Sequence, residues 1–79
     1  MYKSLNKRFM KYLDSDIITN GERYFVISDD KWNGEGFYDC FEVDKNFSIV
    51  NYGKYYTITP VYEQNGDDFK IIDYKVEEG

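Results

Sequence analysis

The side chains that most often carry chemistry are sparse in this sequence. Cys40 is its one thiol, and there is no histidine. A cysteine nucleophile needs a neighbouring base to form the thiolate, and the commonest base and metal ligand is absent. Placed mid-strand between Asp39 and Phe41, Cys40 is expected as a small buried hydrophobe. The adjacent carboxylates Asp29-Asp30 and Asp67-Asp68 fall in turns, where water keeps both members ionised and unsuited to paired acid–base work. Asp14-Ser15-Asp16 begins like a calcium loop, but Ile18 stands where a third oxygen ligand belongs and no glycine follows at the sharp turn. Gly34 and Gly36 lack the further glycine, lysine and helix of a phosphate cradle. A chain of 79 residues is also short of material for a deep substrate pocket. The expectation is therefore a protein that is not an enzyme, holds no metal or cofactor, and acts by contact.

Charge and aromatic content indicate what kind of contact. Residues 1–13 carry Lys3, Lys7, Arg8 and Lys11 without an acid, whereas the remaining residues hold six basic and fifteen acidic side chains. Segregated charge makes a field that steers partners. Four cations on one short segment are too few for a phosphate-tracking stripe, so direct nucleic-acid binding is disfavoured. Aromatics make up 20% of the chain, nine of them tyrosine. Adjacent tyrosines such as Tyr55-Tyr56 must place one ring on each face of a strand, and an exposed phenol among carboxylates suits a binding surface. The expected contact residues are Asp29, Asp30, Trp32, Glu35, Tyr38, Asp39, Asp67 and Asp68, with the acids pairing a basic partner and Trp32 or Tyr38 as anchor.

The elements that must position these residues are short. Tyr2, Leu5, Phe9, Tyr12 and Leu13 recur at helical spacing, which predicts an amphipathic helix over residues 2–13. Strands are predicted over 17–19, 22–28, 37–43, 47–51, 55–63 and 68–76, separated by turn chemistry at Asn20-Gly21, Asp44-Lys45-Asn46, Tyr52-Gly53-Lys54 and Asn65-Gly66. Residues 29–36 read as an irregular loop. With Asn65-Gly66 as a two-residue turn, Tyr62 faces Phe69 and Pro60 faces Ile71. Tyr56, Ile58, Pro60, Tyr62, Phe69 and Ile71 then share the core face, with Asp73 on it unexplained. Pro60 cannot donate to a ladder, so its strand is expected at an edge or beside a bulge. The fold class expected is α+β, one domain over 1–79. Its N-terminal helix lies on a five- to six-stranded antiparallel sheet, meander-like and curled or closed into a small open barrel.

Lys31-Trp32-Asn33 followed by Gly36-Phe37 resembles the start of a cold-shock domain, a small OB barrel that stacks single-stranded bases on its aromatics. The likeness ends there: the aromatic between Trp and Asn, the Gly-Phe-Gly-Phe continuation and the second aromatic–His motif are missing. In size, acidity and lack of catalytic residues the chain resembles small phage- and mobile-element-encoded inhibitors, anti-CRISPR and anti-restriction proteins among them. That resemblance implies a cytoplasmic protein that blocks a basic nucleic-acid-binding surface by charge mimicry. Single-strand binding through sheet aromatics and self-association are the alternatives. The longest apolar run, Tyr24 to Ile27, is far below the roughly 20 residues of a membrane span.

Overall fold

A computed structural model of the protein describes residues 1–5 and 15–78. Six strands follow one another: β1 (Lys3–Ser4), β2 (Ser15–Thr19), β3 (Tyr24–Ser28), β4 (Phe37–Val43), β5 (Tyr56–Asn65) and β6 (Asp68–Glu78). Each pairs antiparallel with its neighbour in the chain, so the sheet order is β1-β2-β3-β4-β5-β6. The sheet curls into a nearly closed barrel. The seam is bridged where the Tyr2 N–H donates to Asp73 Oδ1 at 2.8 Å.

The expected N-terminal helix is overturned, and the fold is all-β rather than α+β. Lys3 and Ser4 pair with Thr19 and Ile18, and the Leu5 N–H donates to the Ile17 carbonyl at 2.8 Å. Residues 6–13 of that expectation lie outside the described residues. Tyr2 and Leu5 are three apart, a spacing that puts them on one helix face but on opposite faces of an extended chain. The extended arrangement is the one adopted: Tyr2 packs inside the barrel against Phe25, and Leu5 packs on the outer side. Pairing there also satisfies the otherwise open edge of β2. Among the described residues no helix is long and apolar enough to cross a membrane.

Alternation along the strands builds two cores, one on each face. Inside the barrel lie Ile18, Phe25, Ile27, Cys40, Tyr56 and Ile58, joined by the partly buried Tyr2, Phe37, Tyr74 and Val76. Outside β2–β4, Ile17, Val26 and Val43 are covered by Tyr24, Phe41, Phe47 and Ile49. Phe47 and Ile49 come from residues 44–51, expected in part as a strand. Only a Val43–Ile49 bridge forms there, because Phe47 and Asn51 adopt left-handed backbone at φ 63° and 54°. Such a conformation costs about 1–2 kcal/mol for a non-glycine residue, and here it lays the Phe47 ring edge-on against Tyr24 at 6.2 Å.

The β5–β6 hairpin departs from its expected register. Asn65 pairs with Asp68, so the two-residue loop is Gly66-Asp67, with Gly66 at φ 63°, and Tyr62 faces Ile71 instead of Phe69. A bulge at Val61/Tyr62 then shifts the phase, so Pro60 faces Tyr74 and Asp73 leaves the core face. It lies beside the proline whose missing donor asks for it, in a strand flanked on both sides. Tyr74 and Val76 take the inward positions, while Asp73 turns to cap the backbone N–H groups of Tyr2 and Tyr74. Those two bonds hold its carboxyl below the usual range.

Candidate functional site

The barrel has two unlike ends. At one, Glu42 points inward beside Phe25 and is the buried charged residue of the described core. The Arg23 guanidinium grips it with two bonds, Nε to Oε2 at 3.0 Å and Nη2 to Oε1 at 3.1 Å. Asn51 Nδ2 adds a third at 2.9 Å, which accounts for the left-handed backbone that aims it. The guanidinium lies over the Phe25 ring at 4.8 Å and the Tyr56 ring at 5.7 Å. Hydrogen bonding to Arg23 holds the Glu42 carboxyl below its ordinary range against the opposing effect of burial. Arg23 closes this end, and Arg23, Asn51 and Tyr56 together bond the Glu42 carboxylate.

The other end is open. A cavity of about 400 Å³ enters between the β3–β4 loop and the β5–β6 hairpin. Its rings are Trp32, Phe37, Tyr62 and Tyr74, and its acids are Asp16 and Asp29. Ile27, Pro60 and Ile71 supply aliphatic surface. Trp32 leans on Phe37 at 4.8 Å and remains 42% exposed. Burial, with Asp16 and Tyr62 nearby, pushes the Tyr74 phenol upward. Asp16 is held from two sides: Oδ1 accepts the Ile17 N–H at 2.9 Å, and Oδ2 accepts the Ser4 hydroxyl. The cavity is larger than the chain length suggests because an overhanging hairpin forms one wall.

That overhang begins where β5 and β6 outrun the rest of the sheet. They span ten and eleven residues, against seven for β4, and β4 reaches β5 only as far as Ile58. Beyond it, residues 61–72 form a two-stranded ribbon exposed throughout. The molecule accordingly measures 41 × 24 × 23 Å. Val61, Tyr62, Phe69, Ile71 and Ile72 are all exposed there, Phe69 at 67%. Tyr62 and Phe69 meet edge to face at 6.4 Å, and among the described residues no third strand pairs with this part of the ribbon, though Lys3 and Ser4 of β1 line a cleft with Phe69 to Ile72.

The contact residues expected from sequence divide among three places. Asp29 and Asp30 form a 3-10 turn directly after β3, and the Ser28 hydroxyl donates to Asp30. Trp32 and Glu35 follow in a loop tied by Asn33 Oδ1, which accepts the N–H groups of Glu35 and Gly36 at 2.9 Å each. Tyr38 and Asp39 occupy a bulge in β4, with Asp39 left-handed at φ 57°. Asp39 lines a separate cleft of about 590 Å³ with Lys31, Lys54, Tyr52 and Tyr55, and Lys31 Nζ sits 5.7 Å from the Tyr38 ring centre. Asp67 and Asp68 stand at the ribbon tip, roughly 10 Å beyond Tyr62 at about 3.3 Å per residue. Asp29 and Trp32 therefore share the mouth, while Asp39 and the tip pair lie elsewhere.

The sequence pattern missed Asp16, Phe37, Tyr62, Ile71 and Tyr74 at the mouth, and assigned Tyr62 and Ile71 to the core. A signal was present: the last two predicted strands are each longer than the strand they must pack against. Of the paired tyrosines, Tyr55 is exposed and Tyr56 buried, one ring to each face. Cys40 is buried, and desolvation pushes its thiol up to about 12, which keeps it protonated. Compared with family models, curated proteins and solved structures, the chain matches none of them.

Proposed function

We propose that this protein is a protein-binding module whose contact surface is the open mouth together with the β5–β6 ribbon. The observation that carries this reading is the ribbon itself. A two-stranded hairpin is marginal alone, yet this one presents apolar side chains on both faces to water. Such a patch is the mark of a partner surface. Asp29, Asp30 and Glu35 beside the mouth and Asp67 and Asp68 at the far end of the ribbon flank it with negative charge that outweighs Lys31 and Lys70. An apolar centre inside an acidic rim fits a protein whose own surface is basic, such as a nucleic-acid-binding channel. Binding of that kind excludes nucleic acid by occupying its site.

The test is capture of a basic partner by the wild-type chain and by Phe69→Ser/Ile71→Ser. The double variant is expected to lose capture while its circular dichroism stays unchanged. Affinity of the wild type falls with added salt, since rim charges are screened, and a captured nucleic-acid-binding partner loses its oligonucleotide. Retention of the partner by the double variant would remove the ribbon from the interface. Light scattering on the isolated protein separates this reading from self-association.

A second reading rests on the cleft with Lys31 and Lys54 flanked by Tyr38, Tyr52 and Tyr55, which pairs cations with stackable rings as single-strand binders do. Asp39 within it and the Lys54–Glu78 ion pair at 3.6 Å oppose that use. Anisotropy of a labelled oligonucleotide decides it, with Lys31→Glu/Lys54→Glu as the control.

A further inference from the structure

The mouth has a chemical character more specific than an apolar patch, and resting on the binding reading above, we propose that it receives an arginine side chain of the partner. Four rings, Trp32, Phe37, Tyr62 and Tyr74, border one cavity. Their faces are negative and attract a cation, and a flat delocalised guanidinium also stacks on them. The aliphatic surface of Ile27 and Pro60 suits the methylene stem that such a side chain buries.

Asp16 supplies the acceptor. Its bonds to the Ser4 hydroxyl and the Ile17 N–H fix the carboxylate in place, and among the described residues these are one bond to each oxygen, which can accept a second. A guanidinium offers its N–H groups in a planar fork that matches a carboxylate, which a lysine ammonium does not. Lysine is also the more strongly hydrated cation, so it loses more on entering a ring-lined site. The sealed end of the same barrel holds a chemically equivalent assembly: the Arg23 guanidinium between a carboxylate and the Phe25 and Tyr56 rings. The open end has the rings and the acid, and among the described residues no guanidinium fills it.

Trp32 is the single tryptophan and reports directly on the site. The intact chain is titrated with N-acetyl-arginine amide, with the uncharged N-acetyl-citrulline amide, and with N-acetyl-lysine amide, following Trp32 emission. Arginine amide is expected to give a saturable change in the millimolar range. Citrulline and lysine amides should bind about tenfold more weakly or not at all, in line with the strength of charge-assisted, forked bonds. Asp16→Asn should weaken arginine amide about tenfold and leave the citrulline response unchanged. Tyr62→Leu, on the exposed ribbon, should weaken it while the fold stays intact, so the site remains testable if Asp16→Asn misfolds. Equal binding of citrulline and arginine, an unchanged affinity in both variants, or no saturation with arginine would overturn the assignment. Ribbon-dependent capture of a partner with no arginine response removes the arginine site alone. An arginine response without ribbon-dependent capture removes the wider interface alone.

Discussion

The two ends of the barrel use the same materials to opposite effect. Each gathers aromatic rings around a carboxylate. At the sealed end Arg23 sits between them, so Glu42 is bonded on both oxygens and the rings are buried. At the open end Trp32 and Tyr62 keep half-exposed faces around Asp16. A fully satisfied polar network specifies structure, and removing one member strands the others. Rings left in water contribute little to the fold and are free to contribute to contact. Substitutions should therefore separate cleanly, stability at one end and binding at the other.

The largest effect is expected from Glu42→Ala. It leaves Arg23 and Asn51 without an acceptor and a void beside Phe25, and should cost about 3 kcal/mol, read from the urea midpoint. Because the Arg23 side chain is 44% exposed and can turn to water, a loss above that would mean the network supports more of the barrel than its own end. Next comes Gly36→Ala. A Cβ there would sit 2.9 Å from the Ile58 carbonyl oxygen and 3.0 Å from Thr59 Oγ1, at the point where the Trp32 loop meets β5. Forcing that contact should cost about 1–3 kcal/mol and shift Trp32 emission as well, since it pushes one wall of the mouth outward. No change in either reading would mean that the loop rides freely on β5.

Acid should act through the sealed end. Glu42 has a lowered folded pKa, so its contribution is complete above the unfolded value of about 4.3 and is lost as pH falls through the folded one. Asp73, lowered by the Tyr2 and Tyr74 N–H groups, acts in the same direction at the seam. A urea midpoint measured from pH 6 down to 3 should drop, and Glu42→Gln should flatten the drop. An equally steep fall in that variant would place the acid sensitivity elsewhere. The smallest effect on stability belongs to the open end: Trp32→Ala and Phe69→Ser are expected to move it by only about 0.5 kcal/mol while abolishing partner capture. A loss of several kcal/mol there would show that the ribbon and mouth are core after all.

Turn chemistry made most of the sheet legible. Asn20, Asp44 and Asn33 each cap following N–H groups with their own side chain, a local bond readable from sequence. The strand over 37–43 and the irregular 29–36 segment follow from the same punctuation. What misled was spacing without context. Tyr2 and Leu5 fit a helical stripe and an extended chain equally, and only the open edge of β2 decides between them. On the ribbon, alternation correctly puts Tyr62, Phe69 and Ile71 on one face, but a pattern names a face and not what covers it. The mouth was half visible for the same reason. Asp29 and Trp32 stand out in a loop, whereas Asp16 and Tyr74 look like ordinary strand residues until the curl and the bulge opposite Val61/Tyr62 bring them together.

The meander order bears on how the chain reaches this shape. Every ladder joins strands adjacent along the polypeptide, and the β2–β3 and β5–β6 hairpins each have only a short loop to close. The seam between Tyr2 and Asp73 is different, uniting residues 71 positions apart. Long-range closure of that sort gains its reward only after the chain entropy has been spent, so the meeting of the N-terminus with β6 is the costliest contact of the barrel to bring together.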